Sequence, residues 1–174
     1  MTMYTTIRHL QDLITTMEKC RKPVIGAVHN ACVGAGVDMI TAMDIRLCTA
    51  DAWFCVKEVD MGLAADVGTL QRLPKVIGSQ SLVSELCLTA RRMEAVEAER
   101  CGLVSTVFAG KEELMAGALA MAAAIASKSP VAVQVSVGLL QLPDWRLLRA
   151  PRTIWSTPAS TRCRRDSRGS PPTT

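Results

Sequence analysis

Residues 23–39 read PVIGAVHNACVGAGVDM: a short apolar run, two closely spaced glycines, and an acid two residues after the second glycine. The apolar run behind Pro23 is typical of a buried parallel strand, and the residues that follow the glycines indicate a helix as far as Met43. A strand, a glycine turn and a helix N-terminus in this order bring backbone N–H groups to one point. Such a point suits a phosphate, a developing oxyanion, or simply close helix–strand packing. The stretch lacks the spacing of known phosphate-binding loops.

The residues on either side of this stretch predict an α/β arrangement. Apolar residues at helical spacing indicate a helix over 5–20, and residues 57–68 are typical of an irregular loop rich in carboxylates. The other predicted elements, in chain order, are strands at 44–50 and 52–56, a helical segment broken near Pro74 and Gly78, a helix with Ser79 or Ser81 as its N-cap, a helix at 94–101, a strand at 103–109 and a helix at 111–128.

Composition limits the class of protein. The chain has 174 residues with few aromatic side chains, which predicts one domain with an aliphatic core. No apolar run reaches about 18 residues, so we expect no membrane span, and the first ten residues lack the apolar centre of a signal peptide. Seven cysteines without paired spacing are interpreted as buried thiols of a reducing compartment, and two histidines argue against a metal site.

The last 34 residues differ from the rest of the chain. Seven Arg and two Asp give residues 141–174 a net charge of +5, so residues 1–140 carry −1 of the total of +4. This near-neutral body gives no indication of nucleic-acid binding. Five of the eight prolines also lie in the last segment, which we expect to be a disordered tail after a domain at 1–140. The tail is either a basic segment for an acidic partner or the product of an alternative exon or shifted frame.

Four carboxylates are the polar residues most informative about chemistry. Asp38 starts an apolar helix, while Glu58, Asp60 and Asp66 lie in an otherwise apolar, glycine-containing loop. Desolvation raises the pKa of a carboxyl group in such surroundings, and two of them in one pocket can donate and accept protons. A structural interpretation stays open: Asp38 as an ordinary first-turn acid, the two middle acids as solvated charges, and Asp66 as the N-cap of a helix from Val67.

Two longer segments carry a family resemblance. KPVIGAVHNACVGAGVDMITAMDIRLCTADAWFCVKEVDMGLAADVGTLQRLPKVIG (22–78) and TARRMEAVEAERCGLVSTVF (89–108) follow the motif order of the enoyl-CoA hydratase/isomerase (crotonase) superfamily, with Ala90 where glycine is usual. The similarity covers roughly residues 10–135. It implies an α/β fold of the crotonase (ClpP-like) type, a spiral of ββα units, here incomplete.

Within the superfamily, VKEVDMGLAADVG resembles the dienoyl-CoA isomerases, because typical hydratases have no acid at the position of Asp66. This resemblance implies isomerisation of 3,5-dienoyl-CoA to 2,4-dienoyl-CoA in fatty-acid β-oxidation. Glu58 would remove the C2 proton, Asp66 would deliver a proton at the far end, and Asp38 would tune Glu58. The backbone N–H of Ala35, where glycine is usual, would be an oxyanion donor.

The same resemblance implies no metal and no separate cofactor, since CoA is part of the acyl-CoA substrate. It implies homotrimers or hexamers, and location in the mitochondrial matrix or the peroxisome, although no targeting signal is recognised in the sequence. The second oxyanion donor is expected in a segment before residue 1. The alternatives are therefore an inactive truncated isoform that associates with full-length subunits, an enoyl-CoA hydratase, and a basic-tailed binding module.

Overall fold

The computed structural model describes residues 3–141, so the predicted tail at 141–174 lies, apart from its first residue, outside the described residues. The elements are α1 (Met3–Glu18), β1 (Ile25–Val28), β2 (Ala31–Val33), α2 (Ala35–Thr41), β3 (Ile45–Thr49), β4 (Trp53–Cys55), a 3-10 helix (Glu58–Met61), α3 (Thr69–Ile77), α4 (Gln80–Thr89), β5 (Met93–Glu94), α5 (Ala95–Arg100), β6 (Thr106–Phe108), α6 (Lys111–Ala126) and α7 (Pro130–Leu140).

The strands form two small sheets. The first has the order β1-β3-β6 and is parallel throughout, with Ile25 opposite Ile45 and Val28 opposite Cys48. The second pairs β2 with β4 in parallel and β4 with β5 antiparallel. The middle strand β3 is buried over its last three residues, whereas β1 has Gly26 and Val28 buried and Ala27 exposed, so the sheet is only partly covered in spite of its apolar sequence. The α/β class expected from the sequence is confirmed.

The core is aliphatic, as the composition predicts. Phe54 is its one large aromatic side chain among the described residues, packed with valines, leucines and thiols. Cys32, Cys48, Cys55 and Cys87 are buried and free. Burial raises the pKa of Cys32 to about 12 and that of Cys48 to about 11, so both remain neutral thiols at physiological pH.

Helix α3 corrects one prediction. It runs without a break through Pro74, so that part of the prediction is wrong. The predicted break near Gly78 is confirmed, because α3 ends at Ile77 and its C-cap, Gly78, has a left-handed φ of 74°. Proline removes one helical hydrogen bond, but the buried side chains of Leu73 and Ile77 hold the helix on the core. Ser79 is the N-cap of α4, and its Oγ accepts a hydrogen bond from the Leu82 N–H at 3.4 Å.

Helices α6 and α7 are the ones to compare with the prediction that the chain has no membrane span. No described helix is both long and apolar enough to cross a bilayer alone. Only α6 and α7 taken together meet that criterion, and they are bent by 111° relative to each other.

Candidate active site

The glycine turn between β2 and α2 is the centre of the site. Gly34 adopts φ 56° and ψ −120°, a conformation that side chains disfavour. Its N–H donates to the Cys55 carbonyl at 2.9 Å, which ties the turn to the end of β4. Ala35 is the first residue of α2, so its N–H has no acceptor within the helix. The turn thus presents a backbone donor beside β4.

The Glu58 carboxylate lies against this turn. It belongs to the first residue of the 3-10 helix that follows β4, and a Cβ placed on Gly34 would lie 3.1 Å from Glu58 Oε1. The glycine therefore leaves space that this carboxylate occupies. Glu58 Oε2 is buried without a hydrogen-bond partner, which is unusual for a polar atom in a folded protein.

The surroundings of Glu58 raise the pKa of its carboxyl group. Burial is the largest cause, and the negative charges of Asp38 and Asp66 act in the same direction. The backbone N–H groups of Glu58 itself and of Lys57 partly offset these effects. A carboxylate that is hard to keep ionised is a stronger base, which suits it to accept a proton from carbon.

Asp38 is only 1% exposed, although it lies in the first turn of α2. Its Oδ1 accepts hydrogen bonds from the Thr69 N–H at 2.6 Å and the Thr69 Oγ at 2.7 Å. A buried carboxylate requires such partners. Asp38 therefore faces the interior and the start of α3, and is not an ordinary solvated first-turn acid.

Asp66 is half-buried in the loop before α3. Its N–H donates to the Ala64 carbonyl at 2.8 Å, and its own carbonyl accepts from Gln11 Nε2 on α1 at 2.7 Å. It also borders a cavity of about 330 Å³ between α1 and the start of α3. The N-cap of α3 is Gly68, so the interpretation of Asp66 as a helix cap is wrong.

The fourth acid lies apart from this group. Asp60 is exposed and pairs with Lys57, three residues earlier in the chain. For Asp60 the interpretation as a solvated charge is therefore correct. The structure brings Asp38, Glu58 and Asp66 close enough for their charges to interact, with Ala35 at the adjacent turn.

Two residues of this site were not singled out from the sequence. Thr69 lies 31 positions from Asp38, and Gln11 lies 55 positions from Asp66. Neither belongs to a local motif, so no pattern within the chain could have paired them. Across residues 3–141 there is no group of three His, Cys, Asp or Glu side chains arranged to hold a metal ion.

Replacing Gly34 by Ala is expected to lower the free energy of unfolding by about 1–3 kcal/mol. The alanine would have to adopt the positive φ of Gly34, and its Cβ would lie in tight contact with Glu58 Oε1. The shift of the urea midpoint measures this cost. Gly110→Ala is the matched control: Gly110 has φ −148°, and its new Cβ would find no atom closer than 3.9 Å. Because Gly110 is the N-cap of α6, the control carries the cost of alanine at an N-cap and should lose less than about 1 kcal/mol; equal effects of both variants would contradict the prediction.

Comparison with known proteins places this geometry in a family. Residues 3–140 match the family model described as Enoyl-CoA hydratase/isomerase. The chain is 63% identical over 139 residues to the mitochondrial Delta(3,5)-Delta(2,4)-dienoyl-CoA isomerase of Pongo abelii, which covers 79% of this chain and 42% of that protein. It is 54% identical over 127 residues to the peroxisomal Delta(3,5)-Delta(2,4)-dienoyl-CoA isomerase of Arabidopsis thaliana, covering 73% and 45%. The chain thus spans less than half the length of these relatives.

Solved structures agree on the fold. A putative enoyl-CoA hydratase from Thermobifida fusca YX in complex with acetoacetyl-CoA superposes with a TM-score of 0.74 at 31% identity, covering 78% of this chain and 52% of that one. The crotonase fold expected from the motif order is confirmed. By its matched residues and its fold, this chain belongs to the enoyl-CoA hydratase/isomerase family.

Proposed function

We propose that this chain carries the proton-transfer site of a Δ3,5-Δ2,4-dienoyl-CoA isomerase, with a 3,5-dienoyl-CoA thioester as substrate. One observation carries the proposal: the negative charge of a third carboxylate, Asp66, raises the pKa of Glu58 together with that of the buried Asp38. Two acid/base groups at the ends of a conjugated system are what a 1,5-proton shift requires. The names of the relatives with 63% and 54% identity support the same substrate class.

The first step is removal of a proton from C2. The ionised Glu58 takes this proton, and the electron pair of the C–H bond moves into the C1–C2 bond while the thioester oxygen becomes an oxyanion. The raised pKa of Glu58 makes it a stronger base for this step. Because Glu58 Oε2 has no protein donor, its lone pairs are not committed to another group.

The second step is delivery of a proton to C6. In this step the Asp66 carboxyl group takes a proton from solvent and passes it to C6, while the double bonds move to C2–C3 and C4–C5 and the thioester carbonyl re-forms. No atom is gained or lost overall. Glu58 then holds the C2 proton and returns it to solvent before the next turnover, which balances the proton that Asp66 took up. The cavity beside Asp66 offers a route for that exchange.

Ala35 supplies the electrostatic part of the proposal. Its N–H opens α2 and is available to the thioester oxygen, where the positive end of the helix dipole also favours negative charge. The Ala35 methyl group leaves this main-chain donor intact. Proton transfer of this kind relies on the acids and on backbone donors, and CoA enters as part of the substrate.

The compartment is proposed from the relatives. One is named mitochondrial and another peroxisomal, so we place the chain in one of these two compartments. Both names belong to proteins that perform the proposed reaction, and neither choice changes the chemistry at Glu58.

The direct test is an absorbance assay. The purified chain is mixed with a 3,5-dienoyl-CoA, and formation of the conjugated 2,4-dienoyl product is followed at neutral pH. We expect a rate above that in buffer. A rate equal to buffer would overturn the proposal for this chain and favour an inactive form that associates with longer subunits. Hydration of a 2-enoyl-CoA, measured in parallel and found faster than isomerisation, would favour a hydratase.

A further inference from the structure

Two hydrogen bonds converge on one oxygen of Asp38, and both come from Thr69. The N–H donates at 2.6 Å and the Oγ at 2.7 Å, and both residues are 1% exposed. We propose that Thr69 is a positioning residue, which holds the Asp38 carboxylate in place beside Glu58. This role rests on the proposed function of the three acids, and it adds a fourth residue that touches none of the reacting atoms.

The start of α3 is built to hold Thr69 still. Thr69 follows Gly68, over which the Arg72 guanidinium lies so closely that a Cβ on Gly68 would overlap Arg72 Nη1. Arg72 in turn donates to Glu18 at 2.9 and 3.0 Å and to Thr15 at 3.0 Å. These bonds join α1 to the first turn of α3. Thr69 is therefore a fixed donor and not a freely rotating surface hydroxyl.

The geometry also explains why a hydroxyl is needed in addition to the backbone. A carboxylate only accepts hydrogen bonds, and Asp38 is removed from water. Losing the Thr69 hydroxyl would leave one donor where there are now two. The Asp38 carboxylate would then move away from its position. This movement weakens the effect of its negative charge on Glu58.

The pKa of Glu58 reports that change in the charge of its surroundings. The titratable or charged groups around it are Asp38 on α2, Asp66 in the loop before α3, Cys55 on β4, Cys87 on α4, and Lys57 and Asp60 in its own segment. Asp38 contributes more to the raised pKa of Glu58 than Asp66 does. Because a like charge disfavours ionisation, a weaker charge on Asp38 lowers the pKa of Glu58.

The test is a carboxyl titration of the full chain followed by ¹³C NMR, with the Glu58 signal assigned by its loss in Glu58→Gln. Thr69→Val keeps the side-chain shape and removes the hydroxyl donor. We expect it to lower the Glu58 titration midpoint by about half a pH unit or more. Thr69→Ser restores the donor and should return the midpoint to that of the unmodified chain. Thr69→Ala removes the same donor and replaces Thr69→Val if that variant does not fold.

Thr41→Val is the matched control. Thr41 is also buried, and its Oγ donates only to backbone carbonyls, those of Val37 and Asp38. We expect this variant to lose stability without moving the Glu58 midpoint. An unchanged midpoint in folded Thr69→Val or Thr69→Ala, or an equal shift in Thr41→Val, would overturn the proposal. Since the measurement needs no turnover, a shifted midpoint in a chain that does not isomerise dienoyl-CoA would support the role of Thr69 and reject only the proposed activity.

Discussion

Glu58→Gln is expected to lower the rate of 3,5-dienoyl-CoA isomerisation by about 10²–10⁴-fold. The amide has the shape of the carboxyl group and can occupy the space that Gly34 leaves, but it cannot accept the C2 proton. The initial rate of formation of the 2,4-dienoyl product, compared at equal protein concentration, measures the loss. Binding of substrate should change far less, because the replaced atoms act in proton transfer.

The same variant allows a second measurement, which separates the role of Glu58 in catalysis from its effect on stability. Since the folded-state pKa of Glu58 is raised above its ordinary value of 4.5, its stabilising contribution is complete below that value. The contribution is lost as the pH rises through the folded pKa. Glu58→Gln should remove this decline, so the variant is at least as stable as the unmodified chain at neutral pH.

Urea unfolding across pH 4–8 tests whether the free energy of unfolding declines with rising pH in the unmodified chain and not in Glu58→Gln. Glu112→Gln is the control. Glu112 is exposed in the first turn of α6, so its replacement should leave the isomerisation rate and the decline in stability attributed to Glu58 unchanged. An active Glu58→Gln enzyme would reject Glu58 as the base. A variant that is inactive because it is unfolded would show itself in the urea curve, and the carboxylate would then be structural.

The sequence shows which carboxylates are candidates for the site, but it does not predict how buried each of them is. Asp38, Glu58 and Asp66 stand in motifs short enough to recognise, and the fold brings them together. Asp60 stands in the same loop, yet its side chain turns outward to Lys57. Two positions along a 3-10 helix separate the half-buried Glu58 from the exposed Asp60, and a loop without hydrophobic period does not predict which of the two faces inward.

Contacts between distant segments were beyond any reasoning on local pattern. Thr69 reaches Asp38 and Gln11 reaches Asp66 only because α1, α2 and α3 pack at one corner of the fold. Short elements were missed for a different reason. β2 has three residues and β5 has two, too few to show an alternation. Helix α7 is apolar on nearly all positions, so its period is hidden.

Asp66→Asn is expected to lower isomerisation by about 10²–10⁴-fold while leaving the fold intact. The hydrogen bonds of Asp66 to Ala64 and Gln11 use its backbone, and Asn keeps both. What disappears is the acid that protonates C6. The 2,4-dienoyl absorbance assay reports the rate, and the urea midpoint should move by no more than about 0.5 kcal/mol.

The outcome of Asp66→Asn also separates the two enzyme hypotheses, because only the isomerase requires a third acid. Asp66 raises the pKa of Glu58, so its neutral replacement should move the acidic limb of the remaining activity to lower pH. Asp60→Asn, six residues away and paired with Lys57, should change neither the rate nor the pH profile. If Asp66→Asn keeps full isomerisation, the proton at C6 comes from elsewhere. If the chain hydrates 2-enoyl-CoA and Asp66→Asn leaves that rate unaltered, Asp38 and Glu58 act on water, and the third carboxylate is a bystander.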